Sequence, residues 1–255
     1  MADTLSYPQV VTYNRHIVLP QIDLEGQEAL LNARVLIIGI GGLGCPAAQL
    51  LCSSGTGQLT LVDDDKVEAS NLPRQILFSR AQVGQFKVHA ARDRLHELNP
   101  DCRIRTINTR LNDEAMRQAV SEHDLVLDCT DNPASRQQIN AICYAQQRPL
   151  VSGAAIRFEG QLLMVDPLNH SPCYQCITRL FSEQELSCVE AGIFAPVVAT
   201  IGTQQAHIAL LWLMGKQVLP AGRLLTYDGL SLSWQQFTVP ADPQCTVCQS
   251  IKTNK

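Results

Sequence analysis

The sequence predicts an α/β fold: a mostly parallel sheet with helices on both faces, continuing into an antiparallel C-terminal part stapled by a four-cysteine zinc site. Three observations lead there. Short runs of branched apolar residues alternate with helical stretches across residues 34–152. The first of these runs ends in a glycine-rich loop that opens a helix. After residue 155 the alternation gives way to strand candidates, interrupted by a cysteine-bearing loop and one long apolar helix.

The elements follow in order. A helix is expected over residues 21–31. Arg34-Val-Leu-Ile-Ile-Gly39 is too short for a helix and ends in glycines, so it reads as a buried parallel strand. The glycine loop and a helix reaching Cys52 come next, then the strand Gln58-Leu-Thr-Leu-Val-Asp63. Residues 82–98 read as an amphipathic helix stopped by Asn99-Pro100, residues 103–109 as a strand and residues 113–121 as a helix. Asp124-Leu-Val-Leu-Asp-Cys129 is a further buried strand, followed by a helix over 135–146 and a strand over 149–152. Residues 155–165 and 223–239 read as antiparallel strands.

Composition narrows the function. The 255 residues are 45% hydrophobic and 17% charged, with 20 Lys+Arg against 24 Asp+Glu, a net charge of −4. No basic cluster suited to a nucleic-acid backbone is present. The longest apolar region, 194–214, is interrupted by Pro196, Gly202, Gln204, Gln205 and His207, so a buried helix is expected and not a membrane span. The opening residues lack the basic start and apolar run of an export signal, which places the ten cysteines in a reducing, cytoplasmic setting.

Four features carry chemistry. Gly39-x-Gly41-x-x-Gly44 lies between strand and helix, where glycine allows a tight turn and lets the backbone approach a phosphate. Asp63 ends the next strand, where an acidic residue holds a ribose hydroxyl; the loop alone does not say which nucleotide. Arg74 and Lys87 offer a donor fork and a point charge for a triphosphate, and the alternative is a pair of solvated surface charges. Asp128-Cys-Thr-Asp131-Asn132 closes a parallel strand at the end where ligands bind, and a carboxylate there suits Mg²⁺.

Cysteines supply the remaining signal. Cys173-x-x-Cys176 and Cys245-x-x-Cys248 together offer the four thiolates of a closed structural zinc site, tying the tail to a middle loop. A redox-active pair is disfavoured, since neither pair is expected to open a helix that follows a strand. Cys45, Cys52, Cys102, Cys129 and Cys143 read as small core residues. Cys188 sits in a polar loop and is either a nucleophilic thiol or an ordinary loop cysteine.

Tyr13-Asn-Arg15, Gly39-Ile-Gly-Gly-Leu-Gly44, Ser70-Asn71-Leu72-Pro73-Arg74-Gln75, Asp128-Cys-Thr-Asp131-Asn132, Cys188-Val-Glu-Ala-Gly192 and the two cysteine pairs occur in one order. In that order the chain, roughly over residues 5–248, resembles the MoeB/ThiF family, bacterial relatives of ubiquitin-activating enzymes. The resemblance implies a Rossmann-like adenylyltransferase acting as a homodimer. Its substrates would be ATP and the C-terminal Gly-Gly carboxylate of a ubiquitin-like sulfur carrier. It implies that Gly42 lies against the nucleotide, that Asp63 holds the ribose, and that Asn71, Arg74 and Lys87 hold phosphates. Ser70, Leu72, Pro73 and Asn132 then line the nucleotide, Asp131 binds Mg²⁺, and Arg15 reaches across from a partner subunit. Pro73 departs from the family's usual Gln and removes an N–H donor.

The resemblance also implies a sulfurtransferase or cysteine desulfurase as sulfur donor, and leaves the role of Cys188 open. The whole chain, 1–255, then reads as one domain, with a nucleotide-binding half near 32–154 and a carrier-binding and zinc half near 155–250. Segments expected to meet the carrier look like the molybdopterin (MoaD-type) branch, and segments near ATP more like the thiamine (ThiS-type) branch. The molybdopterin branch is the expectation. A nicotinamide dehydrogenase on the same loop leaves Arg74, Lys87 and the cysteine pairs without a task. A silent scaffold that binds ATP or a ubiquitin-like protein is the alternative of another class.

Overall fold

The computed structural model describes residues 4–179, 192–216, 220 and 222–249. Three helices open the chain: α1 (Tyr7–Thr12), α2 (Asn14–Ile17) and α3 (Asp23–Asn32). Strands and helices then alternate as β1 (Arg34–Ile38), α4 (Gly44–Ser53), β2 (Gln58–Val62), α5 (Lys87–Leu98), β3 (Arg103–Ile107), α6 (Asp113–Ser121), β4 (Leu125–Asp128), α7 (Pro133–Ala145) and β5 (Leu150–Ile156). After β6 (Glu159–Val165) come the short α8 (Tyr174–Thr178), the long α9 (Ala195–Leu213), β7 (Arg223–Asp228) and β8 (Ser233–Thr238).

These strands form one eight-stranded sheet in the order β3-β2-β1-β4-β5-β6-β7-β8. Pairing is parallel from β3 through β5 and antiparallel from β5 through β8. β1, β2 and β4 are buried on both faces, which is why they are largely apolar runs, whereas β3, at the sheet edge, is exposed or half-buried. In β1, Val35 and Ile37 pack with residues of α4, α5 and α9, while Leu36 and Ile38 pack on the opposite face with residues of α6 and α7. Each such buried aliphatic side chain contributes about 1.5–3 kcal/mol. The strand order reverses between β1 and β4, and that reversal opens a crevice at their C-terminal ends.

The α9 helix lies against α4, β5 and β6 and is buried along much of its length, as its interrupted apolar run leads one to expect. No helix among the described residues is long and apolar enough to cross a membrane. Tyr13 ties the N-terminal helices to the body: its buried ring carries a hydroxyl that accepts a hydrogen bond from Asn99 Nδ2 at 2.9 Å.

Three stretches differ from the sequence expectations, one of them 223–239, which is β7 and β8 paired antiparallel and not one strand. The helix expected over 82–98 begins only at Lys87. Gly84 turns left-handed (φ +91°), and residues 84–87 instead bond the backbone of Asp65 and Val67. Tertiary pairing thus overrides the helical periodicity of that stretch. Likewise, 155–165 is not one strand. β5 runs on to Ile156, the chain reverses at Arg157 (φ +52°), and β6 begins at Glu159. The reversal is held by Arg157 N donating to Gly192 O, Phe194 N donating to Arg157 O, and Phe158 packing on Phe194 at 5.0 Å. No glycine or proline marked it in the sequence.

Candidate nucleotide cleft and metal site

The glycine loop leaves β1 at the point where the strand order reverses. A Cβ at Gly39 would lie 2.7 Å from the Cys129 carbonyl, and one at Gly44 only 2.0 Å from the Gly39 carbonyl. These two glycines therefore serve the turn and the close seating of α4 on the strand ends. Gly41 and Gly42 line the cleft, as Gly39 also does. The side of Gly41 is open except for Gln75 Nε2 at 3.6 Å, whereas a Cβ on Gly42 would meet Val198 at 2.9 Å.

Around the loop is a cleft of about 400 Å³. Of the residues singled out in the sequence, Gly39, Gly41, Gly42, Asp63, Asn71 and Arg74 line it, together with Lys87, Asp131 and Asn132. Gly44, Ser70, Leu72 and Pro73 stand just outside the lining: Ser70 Oγ bonds Glu68 Oε2, Leu72 leans on the core and Pro73 is exposed. Arg15, exposed on α2, is not part of the cleft. Cys188 falls outside the described residues.

Each lining side chain has a local cause for its position. Asp63, at the end of β2, tethers the loop through Oδ2, which accepts from Ile40 N at 2.7 Å; Oδ1 accepts from Asp65 N. Burial raises its pKa, and the nearby Lys87 opposes that rise. Lys87 is the first residue of α5; its side chain is 7% exposed, and Nζ lies 2.8 Å from Asp65 Oδ2. Asn71 Oδ1 accepts from Glu68 N in a 3₁₀ turn, and Arg74 Nη1 donates to Ser70 O. Asn132 caps α7, its Oδ1 accepting from Ser135 N at 2.8 Å, and Pro133 fills the first helical position. Asp131 stands exposed between β4 and α7, with no hydrogen bond or ion pair among the described residues.

Beneath Asp131 lies a buried polar network. Asp128 is 1% exposed and accepts from Thr130 N, Thr130 Oγ1 and Ser152 Oγ. Gln205 of α9 donates to the carbonyls of Asp128 and Val151, so one amide spans the ends of β4 and β5. Gly153 makes that approach possible, because a Cβ there would sit 2.4 Å from Gln205. Arg136 and Gln75 also line the cleft and were missed as site residues, as was Asp65. Arg136 follows Asn132 by one helical turn, a spacing that could have found it. Gln75 stood in a quoted motif but had no assigned task.

The four cysteines meet at the far end of the second core layer. Cys173, Cys176, Cys245 and Cys248 are all buried, with every sulfur within 4.8 Å of the others. Cys173 Sγ lies 3.6 Å from Cys245 Sγ, and Cys176 Sγ lies 3.5 Å from Cys248 Sγ. A tetrahedral zinc with Zn–S of about 2.3 Å requires sulfurs ~3.8 Å apart, so the cluster fits a metal and is no pair of disulfides. Burial pushes the Cys173 thiol up to about 11, and the Asn140 side chain opposes that rise. The Asn140 amide nitrogen is buried and has no hydrogen-bond partner among the described residues. Asp242 N also donates to Cys176 Sγ. Contrary to expectation, Cys173 does open a helix after a strand: it caps α8. Each sulfur nevertheless faces the opposite pair, because α8 lasts five residues and the tail closes over it. The other five singled-out cysteines are buried core residues, as expected.

The model of the ThiF family matches residues 13–247. The chain belongs to the ThiF family. Among its relatives, the molybdopterin-synthase adenylyltransferase of Escherichia coli K12 is 48% identical over 96% of this chain and 98% of its own length. The sulfur carrier protein ThiS adenylyltransferase of the same strain is 44% identical over 92% of this chain and 94% of its own. The crystal structure of E. coli MccB with MccA-N7isoASN superimposes with a TM-score of 0.77 at 24% identity, over 88% of this chain and 69% of MccB. That likeness shows the fold alone.

Proposed function

We propose that this chain is an ATP-dependent adenylyltransferase acting on the C-terminal Gly-Gly carboxylate of a ubiquitin-like sulfur carrier, in molybdopterin synthesis. The observation that carries the reading is the cleft at the β1/β4 reversal, where Asn71, Arg74, Lys87 and Asp131 surround the glycine loop. The carrier carboxylate is already ionised at neutral pH and needs no base. One of its oxygens bonds the α-phosphorus of ATP; the bond to the β-phosphate oxygen breaks, and the electron pair leaves on pyrophosphate. The product is an acyl-adenylate.

Catalysis is then positioning and charge neutralisation. Lys87 exchanges its Asp65 partner for phosphate oxygens, Arg74 and Asn71 hold the chain, and Asp63 keeps lone pairs free for the ribose. Asp131, unpaired and exposed above the Asp128–Gln205 network, suits Mg²⁺, which when bound neutralises charge building on the phosphates. Zn²⁺ fits the four thiols and has a structural role. The nucleotide-binding half and the carrier and zinc half divide these tasks within one continuous sheet.

A homodimer agrees with the outer face of the N-terminal helices. There Arg15 is exposed and without a bonding partner among the described residues, beside exposed Tyr7, Val11, Val18, Leu19 and Leu24. A second copy covering that face brings an Arg15 toward phosphate. A sulfurtransferase or cysteine desulfurase supplies sulfur after adenylation, and the reaction belongs in the cytoplasm. The 44% identical relative favours a second reading, the same chemistry on the thiamine-pathway carrier.

The test is carrier-dependent exchange of pyrophosphate with ATP, using the molybdopterin-type and thiamine-type carriers in turn. Exchange with the first alone is expected. Exchange with the second alone reassigns the carrier, and exchange with neither returns the chain to a silent scaffold.

A further inference from the structure

Gln75 is buried in the cleft wall, 3% exposed, yet its side-chain amide makes no hydrogen bond among the described residues. Its Oε1 is sealed inside the protein without a partner. Its Nε2 faces the open side of Gly41, 3.6 Å from where a Cβ would stand. A side-chain oxygen sealed in without a bond is costly and is rarely kept in a folded protein without a reason. Here the backbone accounts for the residue's place but not for its side chain. Gln75 N donates to Asn71 O and Gln75 O accepts from Phe78 N, as any residue in this turn could.

We propose that Gln75 is a nucleotide-contacting residue, its amide N–H donating to the phosphate chain of a nucleotide bound against the glycine loop. The chemistry of its surroundings selects an anion. Asn71 and Arg74 precede it on the same turn, Lys87 lines the same cleft, and the glycine loop presents α4's N-terminus there. Gly41 is the loop residue whose open side brings amide and ligand together; a side chain at that position would stand between them. Gln75 thereby links the basic turn to the glycine loop through the ligand, since no bond joins them directly. The inference rests on the nucleotide reading of the cleft and is independent of the carrier chemistry.

The experiment compares wild type with Gln75→Leu and Gln75→Glu in the full-length protein. It measures melting without ligand and calorimetric binding of ATP and of adenosine. A hydrogen bond to a charged group predicts ATP binding weaker by about ten- to a hundredfold in Gln75→Leu. Gln75→Glu, which sets a carboxylate against phosphate, should lose more. Adenosine affinity should stay within twofold. Melting of Gln75→Leu without ligand should match or exceed wild type, because an unpaired buried amide is gone. ATP affinity within twofold of wild type overturns the proposal, as does equal weakening of ATP and adenosine, which marks a packing role. If Gln75→Leu does not fold, Gln75→Met carries the same measurements. Exchange activity is not the readout, so a failure of the adenylation reading and a failure of the Gln75 contact are told apart.

Discussion

The nucleotide cleft and the cysteine cluster solve the same problem, holding loops still, by opposite means. In the cleft, the lining segments leave the ends of β1, β2 and β4, which stand side by side in the sheet. They are held by backbone groups and small polar contacts: Asp63 on Ile40 N, Asn132 on Ser135 N, Asp128 on Thr130. In the cluster, two segments 72 residues apart in sequence meet chiefly at their sulfurs. Little else orders the contact, apart from the Arg179–Asp242 ion pair and a bond between Gln175 and Thr246 at the surface. A site made of neighbours can be set by turn chemistry. A site made of distant segments needs a strong bond to offset chain entropy, and a metal held by the four thiols would supply one.

The contrast predicts how each region breaks. The largest effect falls on the cluster. Cys245→Ala should lose bound metal and about 4 kcal/mol of stability, a fall in melting temperature on the order of 10 °C, read by metal analysis alongside calorimetry. Full metal content in that variant would refute the four-thiolate site. Next comes Gly44→Ala in the cleft. Its Cβ meets the Gly39 carbonyl at 2.0 Å, so backbone must shift at a cost of about 3 kcal/mol. Gly41→Ala, with no clash, should melt like wild type; similar melting of both alanine variants would mean the two glycines are not divided between turn and ligand.

Asp131→Ala sharpens the comparison from the functional side. It touches no partner in the fold, so melting should be unchanged while carrier-dependent exchange falls at least a hundredfold, about 2.7 kcal/mol of barrier. Unchanged exchange removes Asp131 from the mechanism.

The smallest effect is on pH. His123 is buried, with Nδ1 at 2.6 Å from Ala119 O and Nε2 at 2.7 Å from Thr60 Oγ1. The carbonyl can only accept, so Nδ1 carries the proton and Nε2 accepts from the threonine. Burial lowers its pKa, outweighing the bond to Ala119. The unfolded chain therefore takes up a proton more readily than the folded one. The stability His123 contributes is complete above the unfolded value near 6.5 and is lost as pH falls below it toward the folded value. Stability should fall as pH drops from 7 to 5.5, and His123→Gln should flatten that part of the melting-versus-pH curve. An unchanged slope would assign the acid sensitivity elsewhere, to proton competition for the metal thiolates above all.

Much of this site was legible in the sequence because its parts are contiguous. A glycine loop after a branched strand, an aspartate at the end of the next strand and an asparagine before Pro133 each announce a local geometry. Gln75 and Gln205 were not legible as site residues. A glutamine has no fixed local role, and its meaning depends on what the other end of the molecule brings near it. The helix boundary at Lys87 failed for the same reason: residues 84–87 have a helical pattern but are engaged by Asp65 and Val67. The reversal at Arg157 is supported by Gly192 and Phe194, far along the chain.

By itself, the sequence determined the class of fold, the identity of the loops at the strand ends and the four thiols, since each depends on residue type and short spacing. Tertiary structure alone decided that β1 and β4 flank the point of reversal and that Gly44 serves packing while Gly41 serves the cleft. It also decided that α9 sends Gln205 beneath the strand carrying Asp128, and that Gln75 is buried with its amide unpaired. The physical reason is range. Backbone propensity and turn chemistry act within a few residues, whereas burial and close approach are set by whatever the completed sheet and its helices place alongside.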